Sequence, residues 1–268
     1  MVPSSRVLDL FAVPDAVEPL PGGQGSSVRA GDLVLSPGRD PEVLAWLNPT
    51  LARLAVRLDE SPSRGAHDVR IAMPVPARDG SWVVDGWGAS RFEPGTAVCE
   101  DLDVTLAAGR LLHARLAVAV PERPAGLDDR QDRWAVAERA AHGEEAVDLA
   151  VLDDAARLLV EDLTARLEDG TLLGRPQLVH ADLEGNVLLD AAGAPVVIDV
   201  SPAWRPVRWA EAVAVLDAVV HAGADPARLA AYDDGVGREA VLRAALFRVL
   251  SDAPPAVAAY RRALASLL

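Results

Sequence analysis

Residues 177–200, QLVHADLEGNVLLDAAGAPVVIDV, constrain the fold more than any other stretch of the chain. Two short apolar segments with strand character, 187–189 and 196–198, flank Asp190-Ala-Ala-Gly193-Ala, a sequence suited to a hairpin turn. Polar residues that strands normally avoid stand at the outer ends: His180, Asp182 and Asn186 before the first segment, Asp199 after the second. A hairpin brings its outer ends together, so Asn186 and Asp199 are expected to converge on one point. Amide and carboxylate oxygens of this kind suit a hard divalent cation that keeps its other positions for phosphate and water. Asp182, four residues before Asn186, would then lie beside the cation, able to accept a proton from an attacking hydroxyl. Taken singly, an Asp or Asn at a strand end is a turn former and a lone His is structural. The order of the four residues around one hairpin is what signals chemistry.

The rest of the chain divides by texture. The first hundred residues are broken by Gly and Pro, with strand-like runs near Val28 and over 33–35, 69–75, 82–84 and 89–92. Between them, residues 41–58 have helical spacing, with Pro41 in the first turn, Leu44, Leu47, Leu51 and Leu54 on one face, and Pro49 as a point where the helix kinks or restarts. After Pro94-Gly95 the pattern becomes helical at 101–119, 130–140, 148–169, 209–222, 225–232, 239–250 and 255–267. The expected domains are a β-rich part over 1–93 and a mainly helical part over 94–268, joined near 91–97.

The block around 177–200 resembles the catalytic loop and metal-binding segment of protein-kinase-like phosphotransferases, in particular the aminoglycoside phosphotransferase and choline kinase branch. That branch reads His-Gly-Asp, and His180-Ala181-Asp182 is close to it. The step from Asp182 to Asn186 is four residues where five are usual. Short loops of this kind, followed by a tail such as Ser201-Pro202-Ala203-Trp204-Arg205-Pro206, look like an actinobacterial subgroup of the superfamily. The resemblance implies an α+β, two-lobed fold with a small antiparallel-sheet N-lobe and a larger helical C-lobe. It also implies that Asp182 is the catalytic base, that Asn186 and Asp199 hold Mg²⁺, that His180 braces the loop, and that ATP or GTP is the co-substrate. By position, Gly22, Gly23, Gln24, Gly25, Ser26 and Ser27 form the loop covering the nucleotide, where glycines let backbone N–H groups approach phosphate. The segment holding Phe92 would receive the base.

One expected residue is missing. The superfamily carries a lysine on its third strand, paired with an acid on the following helix, and this chain contains no lysine at all. Ser36 stands where that lysine is expected, and Glu42 is the candidate acid. Three accounts remain open: Arg29 supplies the charge from the neighbouring strand, Arg39 supplies it from the loop beyond Ser36, or the phosphate grip is weakened and the protein is a pseudokinase. Arginine is forked and bulkier than lysine, so neither replacement is conservative.

With 40 acidic and 26 basic residues, the formal charge is −14. Such a field disfavours nucleic acid and anionic membrane as partners and would attract cationic small molecules, although an acidic composition is also a common solubility device. The single cysteine, Cys99, excludes an intrachain disulfide and a Cys-rich zinc site. The opening residues MVPSSRVLDLF lack the character of a secretion signal, so the expectation is a cytoplasmic protein. His67, His113, His142 and His221 lack metal-ligand spacing and read as structural. Trp204 and Trp209 read as packing residues, Arg205 and Arg208 as braces for Asp199, and Glu138, Glu144, Glu145 and Asp148 as a solvated face. The function expected is transfer of the γ-phosphate of ATP or GTP to a hydroxyl of a small molecule. The alternatives are a nucleotide-binding or regulatory protein built on the same scaffold, and nucleotidyl transfer with ATP bound in another orientation.

Overall fold

A computed structural model describes residues 1–20, 26–61, 65, 68–168 and 173–268. The chain forms two compact units, one comprising 1–99 with 185–199 and the other 100–184 with 200–268. The hairpin, which the sequence groups with the helical part, thus packs in the first unit.

The first unit opens with α1 (Ser5–Leu10), capped by the Ser4 hydroxyl. Strands β1 (Glu18–Pro19), β2 (Val28–Ala30) and β3 (Leu33–Ser36) follow, then α2 (Pro41–Asp59), β4 (Arg70–Ile71), β5 (Gly88–Arg91) and β6 (Ala97–Val98). β1, β2, β3 and β5 make an antiparallel sheet in that order, with Val28 opposite Leu35 and Ser36 opposite Gly88. Alternation buries Val28, Ala30 and Leu35 on one face, against Val7 and Leu8 of α1, its C-cap Phe11, and Val84 and Trp87. The expected strand at 82–84 is reduced to one bridge between Val84 and Trp87. α2 starts where Asp40 accepts hydrogen bonds from the Glu42 and Val43 amides, and Pro41 occupies the first turn, where its missing N–H costs nothing. The helix continues through Pro49 without a break, and Val43, in place of the expected Leu44, joins Leu47, Leu51 and Leu54 on the buried face.

The second unit begins with α3 (Leu102–Ala119), α4 (Arg133–Ala141), α5 (Asp154–Ala165) and β7 (Gln177–His180). The chain then contributes β8 (Val187–Leu189) and β9 (Pro195–Val197) to the first unit. There the sheet order is β4-β9-β8-β6, parallel only between β4 and β9. Returning, it forms β10 (Pro202–Arg205), antiparallel to β7, then α6 (Val207–Val220), α7 (Gly235–Ser251) and α8 (Val257–Ala263). α6 and α7 are the most heavily buried helices of this unit. Trp209, Leu216, Leu242 and Tyr260 are fully enclosed with Leu112 and Leu116 of α3, Leu159 and Leu163 of α5, and Leu178 of β7. The expected helix at 148–169 is cut back to α5 after a short 3-10 turn (Leu149–Val151), because Asp153 caps a new start at Asp154 by accepting from the Ala156 amide. Among the described residues no helix is long and apolar enough to cross a membrane.

Candidate active site

The hairpin forms as the sequence predicts. Asp190 closes its turn by accepting from the Ala192 and Ala194 amides, each at 2.9 Å, and Gly193 takes a φ of +80° that a side chain would resist. At the open end the Ile198 amide donates to the Asn186 carbonyl at 2.9 Å, so Asn186 and Asp199 leave the two strands side by side. Asp199 is exposed and has a φ of +47°, which Asp tolerates better than most residues. There Arg39 meets it, Nη2 to Oδ1 at 2.5 Å.

The neighbouring predicted residues divide in two. Gly22, Gly23, Gln24 and Gly25 lie outside the described residues. Ser27 and Ser36 hydrogen-bond through their hydroxyls at 2.9 Å, tying β2 to β3 where the lysine is expected. Arg29 donates to the Gly31 carbonyl at 2.9 Å, and its guanidinium lies 4.2 Å from the centroid of the Phe92 ring. It is thereby occupied within its own sheet. The Phe92 amide is bonded to the Asp32 carbonyl at 2.8 Å. Glu42 is exposed in the first turn of α2. Of the two arginines weighed as lysine replacements, Arg39 is the one beside Asp199.

In the second unit, His180 ends β7 fully buried. Its Nδ1 accepts from the Asp182 amide at 3.2 Å and the Ser201 amide at 3.4 Å, and its own amide donates to His113 Nε2 at 3.0 Å. Burial, with the His180 ring as a lesser cause, holds His113 down to about 3, so it stays a neutral acceptor for this bond. Next in sequence, Leu183 packs on Gly109 of α3 so closely that a Cβ there would sit 2.4 Å from Leu183 Cδ2.

The Asp182 side chain lines a cavity of about 220 Å³ with Glu184, Asp217, His221, Arg248 and Asp252. Burial pushes the Glu184 carboxyl up from its ordinary range, and Asp217 and Asp182 push it in the same direction. Arg248 of α7 donates through Nη2 to Asp182 Oδ1 at 2.6 Å and through Nε to both Asp217 oxygens at 2.9 and 3.0 Å. Burial works against its charge, but the two carboxylates outweigh that and hold the guanidinium above its usual value. Arg248, Asp217 and Glu184 were not among the sequence candidates. For Asp217 and Arg248 the signal is a single charge set in an apolar helical run, VAVLDAVV and AALFRVL respectively. A lone charge in such a run has to be paired.

Two expectations are corrected. Arg205 and Arg208 do not brace Asp199: Arg205 binds Glu138 and Glu144, and Arg208 binds Asp234. Glu138, Glu144 and Glu145 are therefore more than a solvated face, since Glu145 pairs with Arg139 as well. Trp209 packs in the core, edge to His142 and tilted on Phe247, each at 5.4 Å.

No protein-family model matches the chain, and no curated protein matches it in sequence. Among solved structures it is similar to the choline kinase LicA from Streptococcus pneumoniae, with a TM-score of 0.51, 14% identity, and 98% of this chain and 96% of that chain covered. Likenesses also extend to an aminoglycoside phosphotransferase from Alicyclobacillus acidocaldarius, with a TM-score of 0.49, 14% identity, and 96% and 91% covered. A choline/ethanolamine kinase family protein from Mesorhizobium loti gives a TM-score of 0.48, 16% identity, and 98% and 92% covered. The protein therefore has a kinase-like α+β fold, with a small antiparallel sheet toward its N-terminus and a mainly helical C-terminal part. The particular structure carrying that statement is the pneumococcal choline kinase, at an identity where fold alone is shared.

Proposed function

We propose that the protein is a small-molecule kinase that transfers the γ-phosphate of ATP or GTP to a hydroxyl group. The observation that carries this reading is the Arg39–Asp199 pair, because it supplies a fixed cation beside the candidate metal carboxylate in a chain without lysine. The donor chemistry fits a magnesium ion, with an amide from Asn186 and a carboxylate from Asp199 at the mouth of one hairpin. When bound, the ion would neutralise charge developing on the transferred phosphate. Asn186 and Asp199 would hold it, and Arg39 would stand as a further positive group next to the phosphates.

Asp182 would orient the substrate hydroxyl and accept its proton. Its backbone is fixed by His180, and its carboxylate opens on a cavity lined by three further acids. With Arg248 balancing Asp217 in the same lining, the acids that remain favour an alcohol bearing an amine or another cation. The test is transfer of phosphate from ATP or GTP, with Mg²⁺, to a panel of amino alcohols, aminoglycosides and sugars. Asp182→Asn should lower kcat by about 100-fold or more while leaving nucleotide binding in place. Full activity of that variant removes the assigned role.

A second reading is supported by a specific feature. Ser36, hydrogen-bonded to Ser27, gives β3 no cationic group to set on phosphate, as in a nucleotide-binding regulator without turnover. Nucleotide binding with no phosphate transfer to any acceptor, water included, would favour it.

A further inference from the structure

We propose that Arg248 is a positioning residue for Asp182: anchored by Asp217, its guanidinium fixes one carboxylate oxygen of Asp182 and keeps that group aimed. The inference rests on the reading of Asp182 as the base.

The geometry separates this arrangement from an ordinary buried ion pair. Arg248 and Asp217 already balance each other, +1 against −1, with side chains 8% and 6% exposed. A pair so enclosed needs no second acid for stability, and each further buried charge is costly. Yet Nη2 also reaches Asp182, whose side chain is 48% exposed on the cavity. One carboxylate thus holds the arginine in place from the core, and the arginine holds a second one at the surface where a substrate would arrive. The planar fork of a guanidinium can grip two acids in fixed directions, and it neither accepts a proton nor titrates in the working range. Asp182 is held at two points: its amide by His180 and its Oδ1 by Arg248. Few torsions remain by which the carboxylate can turn from a bound hydroxyl. Arg248 comes from α7, 66 residues along the chain, and Asp217 from α6, so the core of the helical unit sets the orientation.

Removing Arg248 alone would leave Asp217 buried and unpaired and could unfold the protein. The informative variant is therefore Asp217→Asn with Arg248→Gln, a neutral hydrogen-bonding pair of similar size. Phosphate release and transfer are measured with Mg-ATP, with water, choline and ethanolamine as acceptors. Arg248→Lys and Asp182→Asn are run beside it, and melting temperatures are recorded. The expected result is a fall in kcat of about 10- to 100-fold in the double variant, the scale of a catalytic group displaced by an ångström. KM for ATP stays within about twofold, since the change spares nucleotide binding. Arg248→Lys, which keeps the charge without the fork, should retain more activity than the double variant. A double variant with parental kcat, beside an Asp182→Asn variant that has lost turnover, overturns the proposal and leaves the base in place. Parental activity in Asp182→Asn, or no phosphate transfer by the parent to any acceptor, overturns the reading of the base and this inference with it.

Discussion

Arg39 sets its Nη2 2.5 Å from Oδ1 of Asp199, joining the loop after β3 to the second residue beyond β9. Both side chains are partly exposed, at 27% and 45%, so the pair adds little to stability, about 0–1 kcal/mol. In the proposed function its value is to the nucleotide. Arg39→Gln should leave the melting temperature nearly unchanged but weaken nucleotide binding about tenfold, as for loss of one charge-assisted hydrogen bond of ~1.5 kcal/mol. Arg39→Lys should retain most of the affinity. Calorimetric titration reads both, and parental affinity in Arg39→Gln would show that this arginine does not serve the nucleotide.

Gly109 gives a steric test of the loop. A Cβ there would lie 2.4 Å from Cδ2 of the buried Leu183. Alanine improves helix propensity by up to ~1 kcal/mol, while overpacking costs ~1–3 kcal/mol, so Gly109→Ala should lose little net stability. Leu183 must shift, and Asp182 is its neighbour. We predict a kcat reduced several-fold with a melting temperature within a few degrees of the parent. A variant with unaltered kinetics would show that the loop absorbs the shift.

His113 predicts acid sensitivity. Above an unfolded pKa near 6.5, both states are neutral and its contribution is complete. As pH falls from 6.5 toward about 3, the unfolded chain takes up a proton that the buried ring refuses, and stability declines. The slope from this group is up to ~1.4 kcal/mol per pH unit. His142, also held low by burial, adds to the parent's slope in the same direction. In His113→Gln the amide oxygen can take over the bond from the His180 amide without titrating. Urea midpoints at about pH 7 and about pH 5 should therefore converge in that variant relative to the parent. Equal slopes would place the titration elsewhere.

Arg205 binds Glu138 of α4 and, at 2.6 Å through each Nη, Glu144. Burial pushes the Glu138 carboxyl up even with Arg205 beside it. Arg205→Met should cost ~3–5 kcal/mol by stranding that acid, and adding Glu138→Gln should recover part of the loss. Thermal denaturation reads both, and an unchanged melting temperature in Arg205→Met would mean that the cluster contributes nothing to folding.

The hairpin was legible because its signals are local. Asp190 and Gly193 specify the turn, short continuous apolar runs specify the strands, and a turn fixes its own register. Convergence of Asn186 with Asp199 follows from that register. Asp217 and Arg248 were not legible as a pair, because 31 residues separate them and pairing depends on how α6 rotates against α7. The same applies to Arg205, whose partners lie more than 60 residues earlier. Sequence offered Arg29 and Arg39 equally as stand-ins for the missing lysine. Which one reaches Asp199 depends on Phe92 and Gly31 engaging Arg29, a side-chain contact that strand periodicity does not encode.

The most direct test of the central claim is calorimetric titration of Mg-ATP and Mg-GTP into the parent and into Asp199→Asn, with metal-free nucleotide as reference. Asparagine tolerates the positive φ at this position, so the variant should fold and lose only the carboxylate. Micromolar binding by the parent that requires Mg²⁺ and is lost in Asp199→Asn is the expected result. Binding of equal strength in both proteins, or none in either, would contradict it.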